Sequence, residues 1–247
     1  MTLAVIGGTG FGAFAGLTET KDHVVETDFG QAEIQSGRLA GQGILFLPRH
    51  GMPARFLPHK INYRANLKAL QMLGASQILA VTAVGTVSED LSVPCLVVPD
   101  QIIDYTYGRA LTFFEDEIHH IDFTHPYDAL FRAQLLAAVA KVAASDADVQ
   151  AVLSGVYGCT QGPRLETKAE VRRLRNDGCS IVGMTAMPEA ALARELGLPY
   201  AGISVTANPG AGMAERDIAL AEIHEAMNQG LSWVKLVLAE LISTPAV

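Results

Sequence analysis

Arg49 and His50 stand side by side in "LPRHG", where the apolar run "GILFL" gives out. A run of that length between turn residues reads as a strand, so the pair is delivered at a strand exit. Arginine supplies a forked, permanently charged set of donors and histidine a second donor, which suits an oxyanion; the competing account is an exposed ion pair. Thr185, in "GMTAMPE", adds a hydroxyl at a strand-to-helix turn. Thr9 adds another inside "IGGTGFGAFAG", a glycine-rich loop whose backbone amides can approach an anion closely, unless the loop is only a tight turn. Brought together, Thr9, Arg49, His50 and Thr185 would bind phosphate or sulfate without a metal.

Two further side chains have the chemistry to read N–H and C=O groups. Glu166 lies in "GPRLETKAE", where a loop becomes a helix. There it is either a favourable charge at a helix N-terminus or a carboxylate accepting from a ligand. Asn208 lies in "SVTANPGAGM", where the strand-like run 203–206 is expected to stop against Pro209 and Gly210. That proline and glycine account for a turn without help from the asparagine amide. Other residues read more simply. His119, His120 and His125 in "HHIDFTH" lack a carboxylate frame and form a polar loop rather than a metal site. His224 is a surface or interface histidine, Cys159 has no base assigned to it, and Met184 fits a core position. The spacing Gly8-x-Gly10-x-x-Ala13, with Asp28 at the distance of a ribose-binding acid, also fits the loose dinucleotide fingerprint. An NAD(P)-dependent oxidoreductase therefore stands as a rival.

The elements needed to hold these residues follow from short apolar runs alternating with helical patterns. "LAVIGG", "GILFLP", "QILAVTAVGT", "CLVVPDQIIDY", "AVLSGVYGC", "CSIVGMT" and "LPYAGISVTAN" read as strands. "NYRANLKALQMLGA", "PYDALFRAQLLAAVAKVAA" with Pro126 near its start, "ETKAEVRRLRNDG", "MPEAALARELG" and a long terminal segment read as helices. Strands bounded by helices predict one α/β domain with a largely parallel core sheet, and ligand sites beyond the carboxyl ends of its strands.

The 247 residues suffice for a substantial core. With 49% hydrophobic and only 18% charged residues, and a mean hydropathy of +0.25, the chain has apolar surface to spare, which points to an oligomer interface. A net charge of -8 without a basic run argues against nucleic acid as a partner. No apolar stretch reaches the roughly 18 residues of a membrane span, and the first residues lack the pattern of a signal peptide. Three widely spaced cysteines, Cys95, Cys159 and Cys179, indicate neither a disulfide framework nor a zinc site, so the cytoplasm is the expected compartment.

Taken in order, "IGGTG", "RHG", "KINYRANLKALQMLGA", "TAVGT", "GPRLETKAEVRRLR" and "VGMTAMPEAALARELGLPYAGISVTAN" resemble the trimeric purine nucleoside phosphorylase family, in its methylthioadenosine phosphorylase branch. The likeness runs from about residue 4 to the terminal helix. It implies one α/β domain over residues 1–247 with a mixed central β-sheet flanked by helices. It also implies a homotrimer with sites near the subunit interfaces, and phosphorolysis of a purine nucleoside to free purine and a ribose 1-phosphate. Inorganic phosphate would be the cosubstrate, with no cofactor and no metal. By the same likeness phosphate sits at Thr9, Arg49, His50, the backbone of Ala83, and Thr185. Met184 packs under the ribose. Glu166, Asn208 and a wall of Gly85, Leu165 and Val182 hold the base, and His120 reaches a neighbour's site.

The chain departs from the adenine-specific branch, which carries aspartates where Asn208 and Gly210 stand here. An asparagine amide donates to a six-oxo group while its carbonyl accepts from a protonated N7, and Glu166 accepts the N1–H that adenine lacks. An acid facing adenine N1 would be mispaired, at about 1–3 kcal/mol per unsatisfied group. At the five-prime end, Leu220 and Ile223 stand where inosine-cleaving relatives have a histidine, and apolar side chains suit a methylthio group. Together these changes imply 5'-methylthioinosine as substrate, with methylthioadenosine, inosine and guanosine as alternatives. Leu165 is a further departure, since the family stacks an aromatic ring there. A nucleoside-binding protein without turnover is the third possibility, and phosphate-dependent release of base separates it from an enzyme.

Overall fold

Alternation along the strands sorts the core into two layers. The computed structural model describes residues 2–8, 16–214 and 220–243. In the first strand, Leu3–Gly7 (β1), Ala4 and Ile6 join one buried cluster and Leu3 and Val5 the other. Gln42–Pro48 (β4) repeats the split, Leu45 and Leu47 against Ile44 and Phe46. Gln77–Thr86 (β5) does so again with Ile78 and Ala80 against Leu79 and Val81. Both faces of these strands are apolar because both are covered.

The sheet is completed by Thr18–Thr27 (β2), Gly30–Leu39 (β3), Leu96–Val97 (β6), Gln101–Asp104 (β7), Ala151–Val152 (β8), Val156–Cys159 (β9), Ile181–Gly183 (β10) and Tyr200–Pro209 (β11). The helices are Tyr63–Met72 (α1), Ala129–Ser145 (α2), Lys168–Asn176 (α3), Ala186–Glu195 (α4) and Leu220–Ser243 (α5). Leu67 and Leu70 of α1 and Ala190 and Leu192 of α4 cover one face. Phe131 and Leu135 of α2 and Trp233, Val234 and Val237 of α5 cover the other.

Strand order among the described residues is β2-β3-β4-β1-β5-β10-β9-β7, with β11 paired to β5 and β6, and β6 to β8. The sheet is mixed, as the family resemblance implies, with antiparallel pairs added to the largely parallel core that the strand–helix alternation predicts. The pairs β1–β4, β1–β5, β5–β11, β9–β10, β7–β9 and β6–β8 are parallel. The pairs β2–β3, β3–β4, β5–β10 and β6–β11 are antiparallel. The β2–β3 hairpin escaped the sequence reading because β2 is almost wholly solvent-exposed and shows no apolar run. Asp28 lies in that hairpin's turn, and β2 pairs with β3 at the sheet edge rather than running as a parallel neighbour of β1. A ribose-binding acid belongs at the end of the second parallel strand of a βαβ unit, so the dinucleotide reading loses its acid.

Two element ends also differ from expectation. Helix α2 starts at Ala129, capped by Asp128 Oδ1 accepting from Phe131 N at 2.8 Å, and not at Pro126. Strand β11 does not stop before Asn208. It bulges between Thr206 and Asn208 and pairs Asn208 with Gly85 and Pro209 with Thr86. Proline is tolerated there because the last ladder bond, 2.9 Å, is donated by Gly210 N to Thr86 O.

Candidate functional site

Strand β5 changes neighbours partway along one edge. β1 pairs with it from Gln77 to Ala80, and β10 pairs with Gly85 and Thr86. Between them, over Val81 to Val84, a cavity of about 910 Å³, counting its open mouth, enters the sheet. This is the kind of switch point at which α/β sheets bind ligands. Gly8 and Arg49 lie beside Val81 and Thr82, while Val182 and Asn208 close on Gly85. Thr82 and Gly85 are three residues apart along β5, about 10 Å at the rise of a strand. The anion-type residues and the amide-type residues therefore occupy separated stations of one cavity, with Met184 lining it as well.

Arg49 is 1% exposed and Glu189 also 1%. The guanidinium donates from Nε to Glu189 Oε2 at 2.7 Å, from Nη2 to Oε1 at 2.8 Å, and from Nη1 to the Val81 carbonyl at 3.1 Å. Tyr200 Oη donates to the same carboxylate at 2.9 Å. Burial works against the Arg49 charge, but the Glu189 charge and its hydrogen bonds outweigh it and hold the pKa above the usual arginine value. The exposed ion pair weighed for Arg49 is thus a buried bidentate one. Three of five N–H donors are used, and second hydrogens on Nη1 and Nη2 remain for the cavity that Arg49 lines. A Cβ at Gly8 would lie 3.0 Å from Val81 O and 3.1 Å from Nη1, so the glycine leaves room for this placement.

His50 lines the cavity, and its Nδ1 is 2.8 Å from the Phe56 carbonyl. A carbonyl only accepts, so Nδ1 carries the hydrogen. Burial lowers the pKa of the ring, the Phe56 bond opposes that, and the Arg49 charge lowers it again. The ring is therefore neutral near pH 7, and its free Nε2 presents a lone pair. This corrects the reading of His50 as a donor: in the neutral ring the spare nitrogen accepts.

Glu166 and Asn208 both line the cavity. Among the described residues Glu166 has one side-chain hydrogen bond, accepted from Thr160 Oγ1 at 2.6 Å. Asn208 Nδ2 donates to the Pro209 carbonyl at 2.8 Å, which fixes the orientation of the amide and leaves Oδ1 and a second N–H available. Gly210 fits only as glycine, since a Cβ would lie 2.5 Å from Thr86 O.

Ala83, Gly85, Leu165, Val182, Thr185 and Ile223 line the same cavity, Leu165 with 48% of its surface exposed. Thr185 is buried, and its side chain makes no capping bond to α4, whose second residue, Met187, is extended. Thr9 lies outside the described residues, as does the side chain of Leu220. His120 is exposed and absent from the cavity of its own chain. His224 is exposed. Cys159 is buried, and burial pushes its thiol up to about 12, which suits a structural residue.

Several contributors escaped the sequence reading. Glu189 was one acid among the charges of a helix. Thr82, hydrogen-bonded to Ser204 at 2.8 Å, and Pro58 also line the cavity. Arg109 is a hub: Nη1 donates to the carbonyls of Met184 at 2.9 Å and Met187 at 2.5 Å, and Nη2 to that of Gln161 at 3.0 Å. It ties the loop carrying Thr160 and Glu166 to the one carrying Met184 and Thr185. Only its charge, isolated in "YGRALT", marked it.

The profile of the family described as "Phosphorylase superfamily" matches residues 2–243. A probable S-methyl-5'-thioinosine phosphorylase of Pseudomonas syringae pv. tomato is 48% identical over 245 residues, covering 97% of this chain and 98% of its own. The 6-oxopurine nucleoside phosphorylase of Pyrococcus furiosus is 38% identical over 252 residues, 98% of this chain and 93% of its own. Among solved structures, methylthioadenosine phosphorylase from Schistosoma mansoni in complex with adenine superposes with a TM-score of 0.91 at 29% identity, covering 98% of this chain and 90% of that one.

Proposed function

The chain belongs to the phosphorylase superfamily, and from that premise we propose that it cleaves 5'-methylthioinosine with inorganic phosphate to hypoxanthine and 5-methylthio-ribose 1-phosphate. The observation that carries this reading is the pairing of two stations along one edge of β5. Arg49, with His50 next in the chain, lies by Val81 and Thr82 at one, and the Asn208 amide faces Gly85 at the other, about 10 Å on, while Thr185 lines the same cavity.

Phosphate takes the spare Nη hydrogens of Arg49, the Thr185 hydroxyl and the Ala83 backbone. It offers its own O–H to Nε2 of neutral His50. The bond from C1' to N9 breaks, its electron pair leaves with the purine, and phosphate stabilises the ribosyl cation before an oxygen bonds to C1'. No protein nucleophile is needed; positioning and electrostatics lower the barrier. The departing base takes up from solvent, at N7, the equivalent of the proton that hydrogen phosphate gives up on bonding to C1'; Asn208 Oδ1 accepts the N7–H, while the free amide N–H donates to O6 and Glu166 accepts from N1–H. Adenine has neither O6 nor N1–H, so it leaves both residues mispaired. Ile223, half-buried in the cavity wall, favours a methylthio group over a hydroxyl. The similarity to the S-methyl-5'-thioinosine and 6-oxopurine phosphorylases supports the same choice of base.

The whole chain acts as one domain in this reading, in the cytoplasm and as a homotrimer. His120 completes a neighbour's site, which its exposure outside the cavity of its own chain permits. Exposed Tyr107, Leu111 and Ile118 on the same loop offer apolar surface for such contacts. No helix among the described residues is long and apolar enough to cross a membrane.

The test is incubation with methylthioinosine, methylthioadenosine, inosine and adenosine, with and without phosphate, following free base by chromatography. Phosphate-dependent hypoxanthine release, fastest from methylthioinosine, is expected. No phosphate-dependent release from any substrate overturns the reaction, and adenine outpacing hypoxanthine overturns the choice of base.

A further inference from the structure

Glu166 is held by one side chain, and that side chain is itself held by the sheet. Thr160 follows β9 directly, and its backbone N–H donates to Gly183 O at 2.8 Å, which extends the β9–β10 ladder by one residue. Its hydroxyl lies 2.6 Å from Glu166 Oε1 and 3.3 Å from Gly183 O. One hydroxyl hydrogen faces two acceptors. The shorter contact has the length of an O–H donating to an ionised carboxylate, so the hydrogen lies toward Glu166.

The restraint matters because Glu166 has space on two sides. It lines the cavity described above and also a second one, shared with Tyr105, Tyr107, Thr160 and Arg164. Glu166 is thus common to both linings, on a loop whose neighbours Leu165 and Thr167 are exposed. Without the Thr160 bond no other hydrogen bond among the described residues fixes its direction.

We infer that Thr160 is a specificity-positioning residue: its hydroxyl occupies Glu166 Oε1 and turns Oε2 toward the N1–H of a six-oxopurine. This inference rests on the assignment of Glu166 to the base. It predicts an asymmetry, because a six-aminopurine has no N1–H and gains nothing from an oriented acceptor.

Thr160→Val keeps the shape and removes the donor, whereas Thr160→Ser keeps the donor. The readouts are the ratio of kcat/KM for methylthioinosine over methylthioadenosine, and the inhibition constants of free hypoxanthine and adenine. Thr160→Val is expected to lower the ratio about tenfold and weaken hypoxanthine by a similar factor relative to adenine, the cost of a misplaced charged acceptor. Thr160→Ser is expected to hold both within about twofold of the parent. A packing role would move both substrates together. Equal losses for both substrates, an unchanged ratio, or Thr160→Ser behaving like Thr160→Val would overturn the inference. Glu166→Ala separates the two levels. If it collapses the ratio while Thr160→Val does not, only the role of Thr160 falls; if it leaves the ratio intact, the base-reading role of Glu166 falls too.

Discussion

Replacing Glu189 by leucine removes the only carboxylate among the described residues in contact with the buried Arg49 side chain. Both partners are 1% exposed, so the arginine left behind meets water only through the cavity it lines. Breaking a buried pair by removing one partner costs about 3–5 kcal/mol. The Tyr200 hydroxyl loses its acceptor in the same change, so the upper half of that range is expected. Arg49→Met combined with Glu189→Leu removes both charges and is expected to recover most of the loss, with a coupling energy of several kcal/mol. The assay is urea unfolding at fixed protein concentration, followed by the fluorescence of Trp233, which is buried between α5 and the sheet. Phosphate provides the functional arm. At 100 times its Kd it stabilises the parent by about 2.7 kcal/mol, and it should stabilise Glu189→Leu more, since it becomes the remaining counter-ion of Arg49. The double variant, without the arginine, should lose that response. A cost below about 1 kcal/mol for Glu189→Leu, or a double variant no more stable than the single, would refute the electrostatic reasoning. A parent indifferent to phosphate would refute Arg49 as part of an anion site.

Asn208→Asp should move the substrate ratio toward the six-amino nucleoside by about tenfold, and an unchanged ratio would mean that Asn208 does not read position six. Adding Gly210→Asp should cost about 1–3 kcal/mol in the same unfolding assay, because the new Cβ would lie 2.5 Å from Thr86 O. His50→Asn keeps a donor near the Phe56 carbonyl and removes Nε2, so the KM for phosphate should rise roughly ten- to hundredfold, measured at saturating nucleoside. The folded pKa of His50 lies below its ordinary 6.5. The unfolded chain therefore binds the proton first, and stability should fall as pH drops below 6.5 and level off below the folded value. His50→Asn should remove that increment from the pH dependence of unfolding, and a parent and variant that track each other through this window would count against the neutral ring. Gly8→Ala, crowding Val81 O and Arg49, should destabilise by about 1–3 kcal/mol and weaken phosphate binding; unchanged calorimetric titration would count against the close approach.

The strands that build the cavity were legible because each buries two faces and reads as a continuous apolar run, as in "LAVIG" and "QILAVTAV". The turn residues that end such runs marked Arg49, His50, Thr185 and Asn208, and the structure places all four on one cavity. The β2–β3 hairpin was not legible, since an exposed two-stranded edge carries no hydrophobic period. Neither were Glu189, 140 positions from Arg49, nor Arg109, whose acceptors include backbone carbonyls 51 to 78 positions away.

Sequence by itself determined which chemical groups are present and which segments deliver them, because apolar periodicity, glycine and proline act over a few residues. Tertiary structure alone decided what each group can still do. It matched Arg49 to Glu189 and left two of its hydrogens free, put the His50 proton on Nδ1, and turned the Asn208 amide by giving its N–H to Pro209. Hydrogen-bond direction and the neutrality of a buried ring depend on which atoms come within about 3 Å and on how much water is excluded, and neither is written in the local order of residues.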